Sequence, residues 1–387
     1  MIPGLFLICL LTFVHYVAAQ MRGPIIPLYA VTHGATATDV GLIVGAHMTM
    51  AAVGSIPLGR AADVWGRRPF LLGGIGVGAG MSALLPFAES AWALTVIYGL
   101  AGLGVAAFSP SALSLVGDAA PPGRTGQAFA WYATAHYGAI GIGPFVGGLV
   151  AEAWSYRLAF LGSAVGLALA FTVGLAVPRR ARGEKAPARW DAGWTAVTGN
   201  AAVWAGWILA ASGLLVQGVV FTFLPLLAQE RGQSPAAIGL VFLVLGLANT
   251  AARIPAGWLI DHSGQPVIYA FGGMVVAAAA TVVIPHIREQ LPLLALVALF
   301  GAVSGVGFVA ISVDLTGAAP PAIRGLVMGG YSTALYLGLA IGSLAMGPVI
   351  SRDGYEAGFT AGAVFTAVGI LVAATLRTRF PRDSQGR

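Results

Sequence analysis

The chain has 387 residues, of which 58% are hydrophobic and only 9% are charged. Soluble domains carry about 25% charged residues, so this composition argues against a water-soluble fold and indicates a protein surrounded by lipid. A net charge of +6 would suit a nucleic-acid partner, but the basic residues cluster at the ends of apolar runs. We therefore expect no nucleic-acid binding.

Twelve apolar runs follow one another along the chain, each near the length of about 20 residues that a helix needs to cross a bilayer. They fall near 5–30, 38–60, 69–88, 91–117, 125–151, 155–177, 200–228, 235–259, 266–286, 291–317, 325–350 and 357–376. None shows the alternation of a membrane strand, so we predict an all-α membrane protein with twelve transmembrane helices. Val17-Ala18-Ala19 is similar to a signal-peptide cleavage site. No basic segment precedes it and the apolar stretch continues beyond it, so we expect the first run to be retained.

Arginine placement predicts the orientation in the membrane. If both termini are cytoplasmic, fifteen of the 20 Lys and Arg residues lie on the cytoplasmic side, Arg253 among them, and four lie outside. Arg22 then lies within the first helix. Cytoplasmic loops carry the excess of positive charge in membrane proteins. We therefore predict a multi-pass protein of the cell's inner (plasma) membrane with both termini in the cytoplasm.

Residues of the first half recur in the second half at a nearly constant spacing. Pro57 and Asp63 recur as Pro255 and Asp261, each 198 residues later. The matches span six helices, which makes the halves parallel repeats, a known plan for transporters. The predicted domains are an N-terminal six-helix bundle at 1–177, a basic cytoplasmic linker at 178–199, a C-terminal six-helix bundle at 200–377 and a cytoplasmic tail at 378–387.

A short loop joins the second and third runs. It reads Gly59-Arg60-Ala61-Ala62-Asp63-Val64-Trp65-Gly66-Arg67-Arg68-Pro69. Gly66 permits a backbone angle that other residues avoid. The loop resembles the signature loop of the major facilitator superfamily, and the resemblance implies a gate that stabilises one transport state. The implied gate residues are Gly59, Asp63, Gly66, Arg67, Arg68 and, in the second-half copy, Asp261. The alternative is a loop whose positive charge only sets the orientation.

The fifth run contains a second motif, formed by Gly143, Pro144, Gly147 and Gly148. It resembles the helix motif of the superfamily's twelve-helix drug:proton antiporters. Proline bends a helix and small residues let a neighbouring helix approach closely, although ordinary small-residue packing would use the same residues. Two elements of that branch are missing: its fourth-helix arginine is replaced by Tyr98 and its first-helix acidic residue by His15.

Polar residues inside the apolar runs are the candidates for a substrate site, because polar groups in a membrane usually face a cavity or a partner. The resemblance places the first, fourth, seventh and tenth helices around such a cavity. The candidate cavity residues are His15, Gln20, Arg22, Tyr132, His136, Gln217 and Tyr336. The candidates for proton coupling are His15, His47, His136 and Asp314. The alternatives are packing histidines, an Arg22 that reaches the interface and an Asp314 that caps a helix.

These observations predict a secondary active transporter that exports a small amphipathic or anionic molecule by alternating access, with protons as the candidate coupling ion. A gradient-independent facilitator, an importer and a non-transporting receptor on the same fold are the alternatives. The sequence contains no catalytic triad, metal-ligand spacing, phosphate loop or ATPase domain, so we predict no enzyme activity, metal or cofactor. The expected partners are a small-molecule substrate and the lipid bilayer, and we expect a monomer.

Overall fold

The computed structural model describes residues 3–121, 124–178, 197–319 and 323–379. These residues are almost entirely helical and contain no strand. The helices are α1 (Pro3–Gln20), α2 (Ile25–Thr32), α3 (Ala37–Trp65), α4 (Arg67–Leu84), α5 (Ala91–Ala119), α6 (Thr125–Ala153), α7 (Tyr156–Leu175), α8 (Ala201–Glu230), α9 (Pro235–Ser263), α10 (Pro266–Val283), α11 (Gln290–Ala318) and α12 (Arg324–Arg379). The predicted linker at 178–199 and tail at 378–387 lie mostly outside the described residues.

Ten stretches of the described chain are long and apolar enough to cross a membrane. The first, Gly4–Thr32, combines α1 and α2, and the last, Leu326–Thr378, contains two passes. Those two passes meet at Gly354, where the φ angle of 84° interrupts α12. Helix α6, with 29 residues, completes the set of twelve passes. The predicted all-α architecture is therefore confirmed.

Local sequence fixes where several helices begin and end, and it does so in the same way in both halves. The Thr36 and Ser234 hydroxyls accept hydrogen bonds from the first turns of α3 and α9, respectively. Gly66 and Gly264 end the same two helices with φ angles of 101° and 64°. Both angles are strained for other residues, which confirms the unusual angle expected at Gly66. Each of these pairs is separated by 198 positions, so the repeat extends to the helix caps.

The repeat also organises the interface between the halves. Gly41 of α3 lies against Ser343 of α12, and Gly239 of α9 lies against Pro144 of α6. A methyl group at Gly239 would stand 2.8 Å from the Pro144 carbonyl oxygen, and one at Gly41 would overlap the Ser343 carbonyl oxygen. Only glycine allows the backbones to come this close. The halves therefore meet along two equivalent seams, α3 with α12 and α6 with α9.

Buried apolar side chains form three clusters in the described part of the chain. One cluster draws on both halves and joins Val40 of α3 to Phe223 of α8 and Phe242 of α9. The other two lie within residues 5–177 and within residues 197–373, and each belongs to one half. The halves thus share a core only where α3 and α9 begin, which we call the joined end. At the opposite end, which we call the parted end, each half has its own core.

The first membrane pass is interrupted, whereas a continuous helix was predicted. Helix α1 ends at Gln20 and α2 begins at Ile25, so Arg22 lies in the turn between them. The expectation that Arg22 lies within a helix is therefore wrong. Pro24 and Pro27 have no amide hydrogen, and each removes a helical hydrogen bond near this turn. The equivalent pass of the second half, α8, is continuous.

Candidate functional site

Hydroxyl-bearing side chains from four helices converge between the halves. Tyr16 of α1, Tyr132 of α6 and Tyr336 of α12 lie within electrostatic range of one another, and Ser109 of α5 lies beside all three. We call these four residues the tyrosine cluster. The Tyr16 hydroxyl is buried and has no hydrogen bond of good geometry to any described residue, Ser109 included. Because buried polar groups are nearly always paired, this hydroxyl is available to a ligand or to water.

Two histidines pack against the tyrosine cluster. The His15 ring stacks on Phe108 with centroids 3.7 Å apart and lies roughly perpendicular to the Tyr16 ring at 5.1 Å. The His136 ring is also roughly perpendicular to Tyr16, with centroids 4.1 Å apart. Both ring nitrogens of His15 and Nδ1 of His136 are buried without a partner among the described residues. The site therefore offers several unpaired polar atoms, set among aromatic rings, to a bound molecule.

Arg253, which was expected on the cytoplasmic side, faces the first half from within α9. It lies ten residues before the end of the helix at Ser263, and its guanidinium carbon stands 3.5 Å from the centroid of the Tyr137 ring of α6. Its Nε donates to Asn249 Oδ1 at 3.0 Å, and the Asn249 amide donates to the Gly301 carbonyl at 3.0 Å. Tyr137 adjoins His136, so Arg253 borders the tyrosine cluster. The signal in the sequence was a lone arginine two positions before Pro255 in an otherwise apolar run.

Arg22 points into the first half. Its guanidinium donates to Ser82 Oγ and, at 3.3 Å, to the Gly78 carbonyl, both on α4. It also lies 5.5 Å from the centroid of the Tyr98 ring. His47 stacks on the same Tyr98 ring, with centroids 4.1 Å apart, and its Nδ1 lies 2.8 Å from the Tyr98 carbonyl oxygen. A positive charge thus lies against Tyr98, the position at which the resemblance leads one to expect an arginine.

The remaining predicted cavity and proton-coupling residues lie elsewhere in the described structure. Gln20 ends α1 beside Gly143 of α6, and Gln217 is half-buried in α8. Asp314, whose side chain is 5% exposed, forms an ion pair with Arg377 near the end of α12. No group of three or more His, Cys, Asp or Glu side chains in the described chain is arranged to hold a metal ion.

Two arginines at the start of α4 contact three other helices, α3, α5 and α7, at the parted end. Arg67 pairs with Asp118 of α5, bonds Asp63 at 3.3 Å and donates to the Ser114 carbonyl at 3.2 Å. Arg68 donates to the carbonyl of Leu175, at the end of α7, at 2.6 Å. The second-half copy differs, because Asp261 is exposed and no arginine pair accompanies it.

Replacing Asp118 by asparagine should lower the free energy of unfolding by no more than about 1 kcal/mol, because ion pairs that solvent reaches contribute little. The Arg67 and Asp118 side chains are 25% and 34% exposed. Thermal unfolding of the purified variant measures the change. Glu89→Gln, in the still more exposed pair with Arg157, is the control and should have no effect. A loss of several kcal/mol at Asp118 would contradict this interpretation.

The glycine motif of α6 contacts both halves. Gly143 and Gly147 lie against the backbone of α1 and of the turn that follows it, at Val17 and Met21. Gly148 lies against the Pro235 carbonyl at the start of α9, in the other half. One face of this segment therefore holds the first bundle together, and another forms the seam between the bundles.

Comparison with known proteins agrees with the fold. The family model described as Major Facilitator Superfamily matches residues 8–311 and 215–387. An uncharacterised MFS-type transporter of Methanocaldococcus jannaschii is 22% identical over 95% of this chain and 97% of its own. The tetracenomycin C resistance and export protein of Streptomyces glaucescens is 32% identical over 41% of this chain and 29% of its own.

Among solved structures, a bacterial homologue of the human lysosomal transporter Spinster superposes with a TM-score of 0.84. It covers 100% of this chain and 99% of its own at 15% identity, and it was solved in an inward-facing, unoccupied conformation. At this identity the likeness concerns the fold. Together with the match of the family model along the chain, the twelve-pass fold shows that this protein is a membrane transporter, not an enzyme, and that it belongs to the major facilitator superfamily.

Proposed function

We propose that this protein is a secondary active transporter that exports small amphipathic or anionic molecules by alternating access. The observation that carries the proposal is the distribution of the buried core. The halves share a core at the joined end only, and the tyrosine cluster with its unpaired polar atoms lies between them. Such a site is reached from the parted end, and rocking of the two halves would expose it to the other side.

The charge distribution supports an orientation with both termini in the cytoplasm. Without Arg253, which lies inside α9, fourteen basic residues remain on the proposed cytoplasmic side against four outside. The parted end, with the loop Gly59–Pro69, then faces the cytoplasm, and the structure corresponds to an inward-facing state. The Spinster homologue that superposes on the chain was solved in a state of the same name. In this orientation Arg67, Arg68 and Asp63 would form the cytoplasmic gate.

Export is supported by two observations. Pro144 and Gly148 of the motif with Gly143 and Gly147 lie at the seam between the halves, as residues that govern their relative movement would. The S. glaucescens relative is named a resistance and export protein. Protons are the proposed coupling ion, with His136 as the leading residue, because its unpaired nitrogen borders the site.

Proteoliposomes with an acidic lumen should therefore accumulate a fluorescent amphipathic anion when the membrane potential is clamped to zero. One exchanged proton provides 1.36 kcal/mol per pH unit, so we expect about tenfold accumulation per pH unit. His136→Gln should remove this accumulation and leave downhill exchange intact. His262→Gln, at the exposed end of α9, is the control and should behave like the wild type.

Each alternative has its own outcome in this assay. Downhill flux that does not respond to the gradient would indicate a facilitator, and accumulation driven only by an alkaline lumen would indicate an importer. Binding without flux under any gradient would indicate a receptor. An unchanged response in His136→Gln would remove this histidine from the coupling pathway.

A further inference from the structure

The seam between α6 and α9 extends to Arg253. From the joined end inward, Gly148 meets Pro235, and a methyl group at Gly141 would lie 3.2 Å from the Gly246 Cα atom. The next described contact is Arg253 on Tyr137, one to two turns further in. Beyond this point the buried cores of the halves are separate. Arg253 therefore lies between the halves, on the side of the seam towards the parted end.

The guanidinium group of Arg253 is fixed by its neighbours, but not all of its donors make hydrogen bonds. Its Nε donates to Asn249, which the Gly301 carbonyl fixes in turn, and its plane lies on Tyr137. The described hydrogen bond of Arg253 uses Nε and leaves its two terminal nitrogens without a hydrogen-bond partner among the described residues, and the residue is partly exposed. No described carboxylate forms an ion pair with it. An arginine fixed through Nε presents its remaining donors in the geometry that binds a carboxylate or similar anion.

The interior of the membrane region is positively charged. Every described Asp or Glu lies within five residues of a helix end, beside the bend at Gly354, or between helices. Asp314, the most deeply placed of them, is paired with Arg377. Neither Arg22 nor Arg253 therefore has a carboxylate partner among the described residues. An organic cation bound there would meet no compensating charge, whereas an anion would compensate Arg253.

The surface next to Arg253 is aromatic. The Tyr137 ring contacts the His136 ring, with centroids 4.8 Å apart. The His136 ring in turn contacts the rings of Tyr16 and Tyr132, with centroids 4.1 Å and 6.0 Å away, respectively. Tyr331 of α12 lies within electrostatic range of both Tyr137 and Arg253. Planar rings of a ligand pack well against such side chains, and the hydroxyls and ring nitrogens supply hydrogen bonds.

We propose that the substrate is an aromatic organic anion, whose anionic group binds the terminal nitrogens of Arg253 and whose ring packs against Tyr16, Tyr132 and Tyr336. This inference rests on the proposed transport function, because it names the class of molecule carried through the same site. Arg253 sets the preference for anions, and the tyrosines set the preference for planar rings. Arg22 belongs to the interior of the first half and takes no part in binding.

The test uses the full-length protein in nanodiscs and equilibrium dialysis. The probes are benzoate, 2-naphthoate and anthracene-9-carboxylate, each compared with its primary amide and its aminomethyl analogue at pH 7.5. The wild type should bind at least one carboxylate tenfold or more tightly than the matched amide, and should bind the aminomethyl cations least. Arg253→Gln should lose at least tenfold in affinity for that carboxylate and change less than threefold for the amide.

Two further variants separate the effect of the planar guanidinium group from that of positive charge alone. Arg253→Lys keeps the charge without the planar pair of donors, so its affinity for the carboxylate should lie between those of the wild type and Arg253→Gln. Arg157→Gln removes one exposed positive charge at the start of α7 and should bind like the wild type. If Arg253→Gln does not have the unfolding midpoint of the wild type, the affinities of Arg253→Lys and the wild type for the carboxylate are compared instead.

The inference would be overturned if the wild type bound every carboxylate and its amide equally. It would also be overturned if Arg253→Gln kept the wild-type preference for the carboxylate over the amide. Where Arg253→Gln misfolds, the same criterion applies to Arg253→Lys. Failure of the proposed function has a different signature. Anion-selective binding without flux under any gradient would refute transport and leave the anion site standing. Gradient-driven flux of neutral or cationic compounds without a preference for anions would support transport and refute the anion site.

Discussion

Replacing Gly147 by alanine should destabilise the first bundle by about 1–3 kcal/mol, as expected when a methyl group is forced into a packed interface. The added Cβ would overlap the carbonyl oxygen of Met21 and lie 2.9 Å from its Cα atom. Backbone atoms cannot rotate away as a side chain can, so the turn between α1 and α2 or helix α6 must move. Thermal unfolding of the purified variant in detergent should show a clearly lowered midpoint.

The same helix provides the control for this prediction. Gly138 is also on α6, and a methyl group there would meet no atom within 4 Å. Gly138→Ala should be neutral or slightly stabilising, because alanine favours a helix by about 1 kcal/mol over glycine. An unfolding midpoint for Gly147→Ala equal to that of Gly138→Ala would mean that the close packing of α6 on the first pass does not determine stability.

Replacing Gly148 by alanine should act on the balance between conformations rather than on the stability of a bundle. Its Cβ would overlap the carbonyl oxygen of Pro235 and lie 3.3 Å from the Ala236 Cα atom, and both residues belong to the other half. The two halves can relieve this overlap by separating at the joined end. A penalty of about 1.4 kcal/mol on the joined arrangement shifts the equilibrium tenfold towards the alternative state.

Cross-linking across the other seam measures this shift. The hydroxyls of Thr38 and Ser351 hydrogen-bond at 2.9 Å between the halves at the joined end, so cysteines at these two positions should cross-link readily. The native Cys9 is buried and does not interfere. Gly148→Ala should lower the cross-linking yield severalfold at an unchanged unfolding midpoint, and Gly138→Ala should change neither. An unchanged yield in Gly148→Ala would exclude the seam between α6 and α9 as a determinant of the conformational balance.

The architecture could be predicted from the sequence because lipid imposes strong rules on helices. Long apolar runs indicate membrane passes directly. Pro57 matches Pro255 and Asp63 matches Asp261, each at a spacing of 198 residues, and these matches reveal the two halves. The structure adds that the repeat continues into the caps at Thr36 and Ser234 and into the seams. Those features depend on single polar residues and on glycines, whose contacts no hydropathy pattern contains.

The candidate site was predicted only in part, because sequence position does not reveal the direction of a side chain. Tyr132 stacks on His136 with centroids 6.0 Å apart, and Tyr336 of the other half lies close to Tyr132. Arg22 was expected in a helix, but two prolines interrupt the first pass and its side chain bonds α4 instead. Arg253 was expected on the cytoplasmic side, because a positive charge near the end of an apolar run usually marks the membrane surface. Only the three-dimensional contact with Tyr137 places it at the interface.

The two intramembrane arginines have an electrical consequence. A charge that crosses the full transmembrane voltage gains or loses about 2.3 kcal/mol per 100 mV. Arg22 and Arg253 belong to different halves, so any movement that changes their depth in the bilayer carries positive charge through part of that field. In an energised membrane, negative inside, the voltage itself would favour the state that brings these arginines nearer the cytoplasm. If the exchange between the two conformations changes the depth of these arginines, the resting balance differs between a living cell and a detergent micelle.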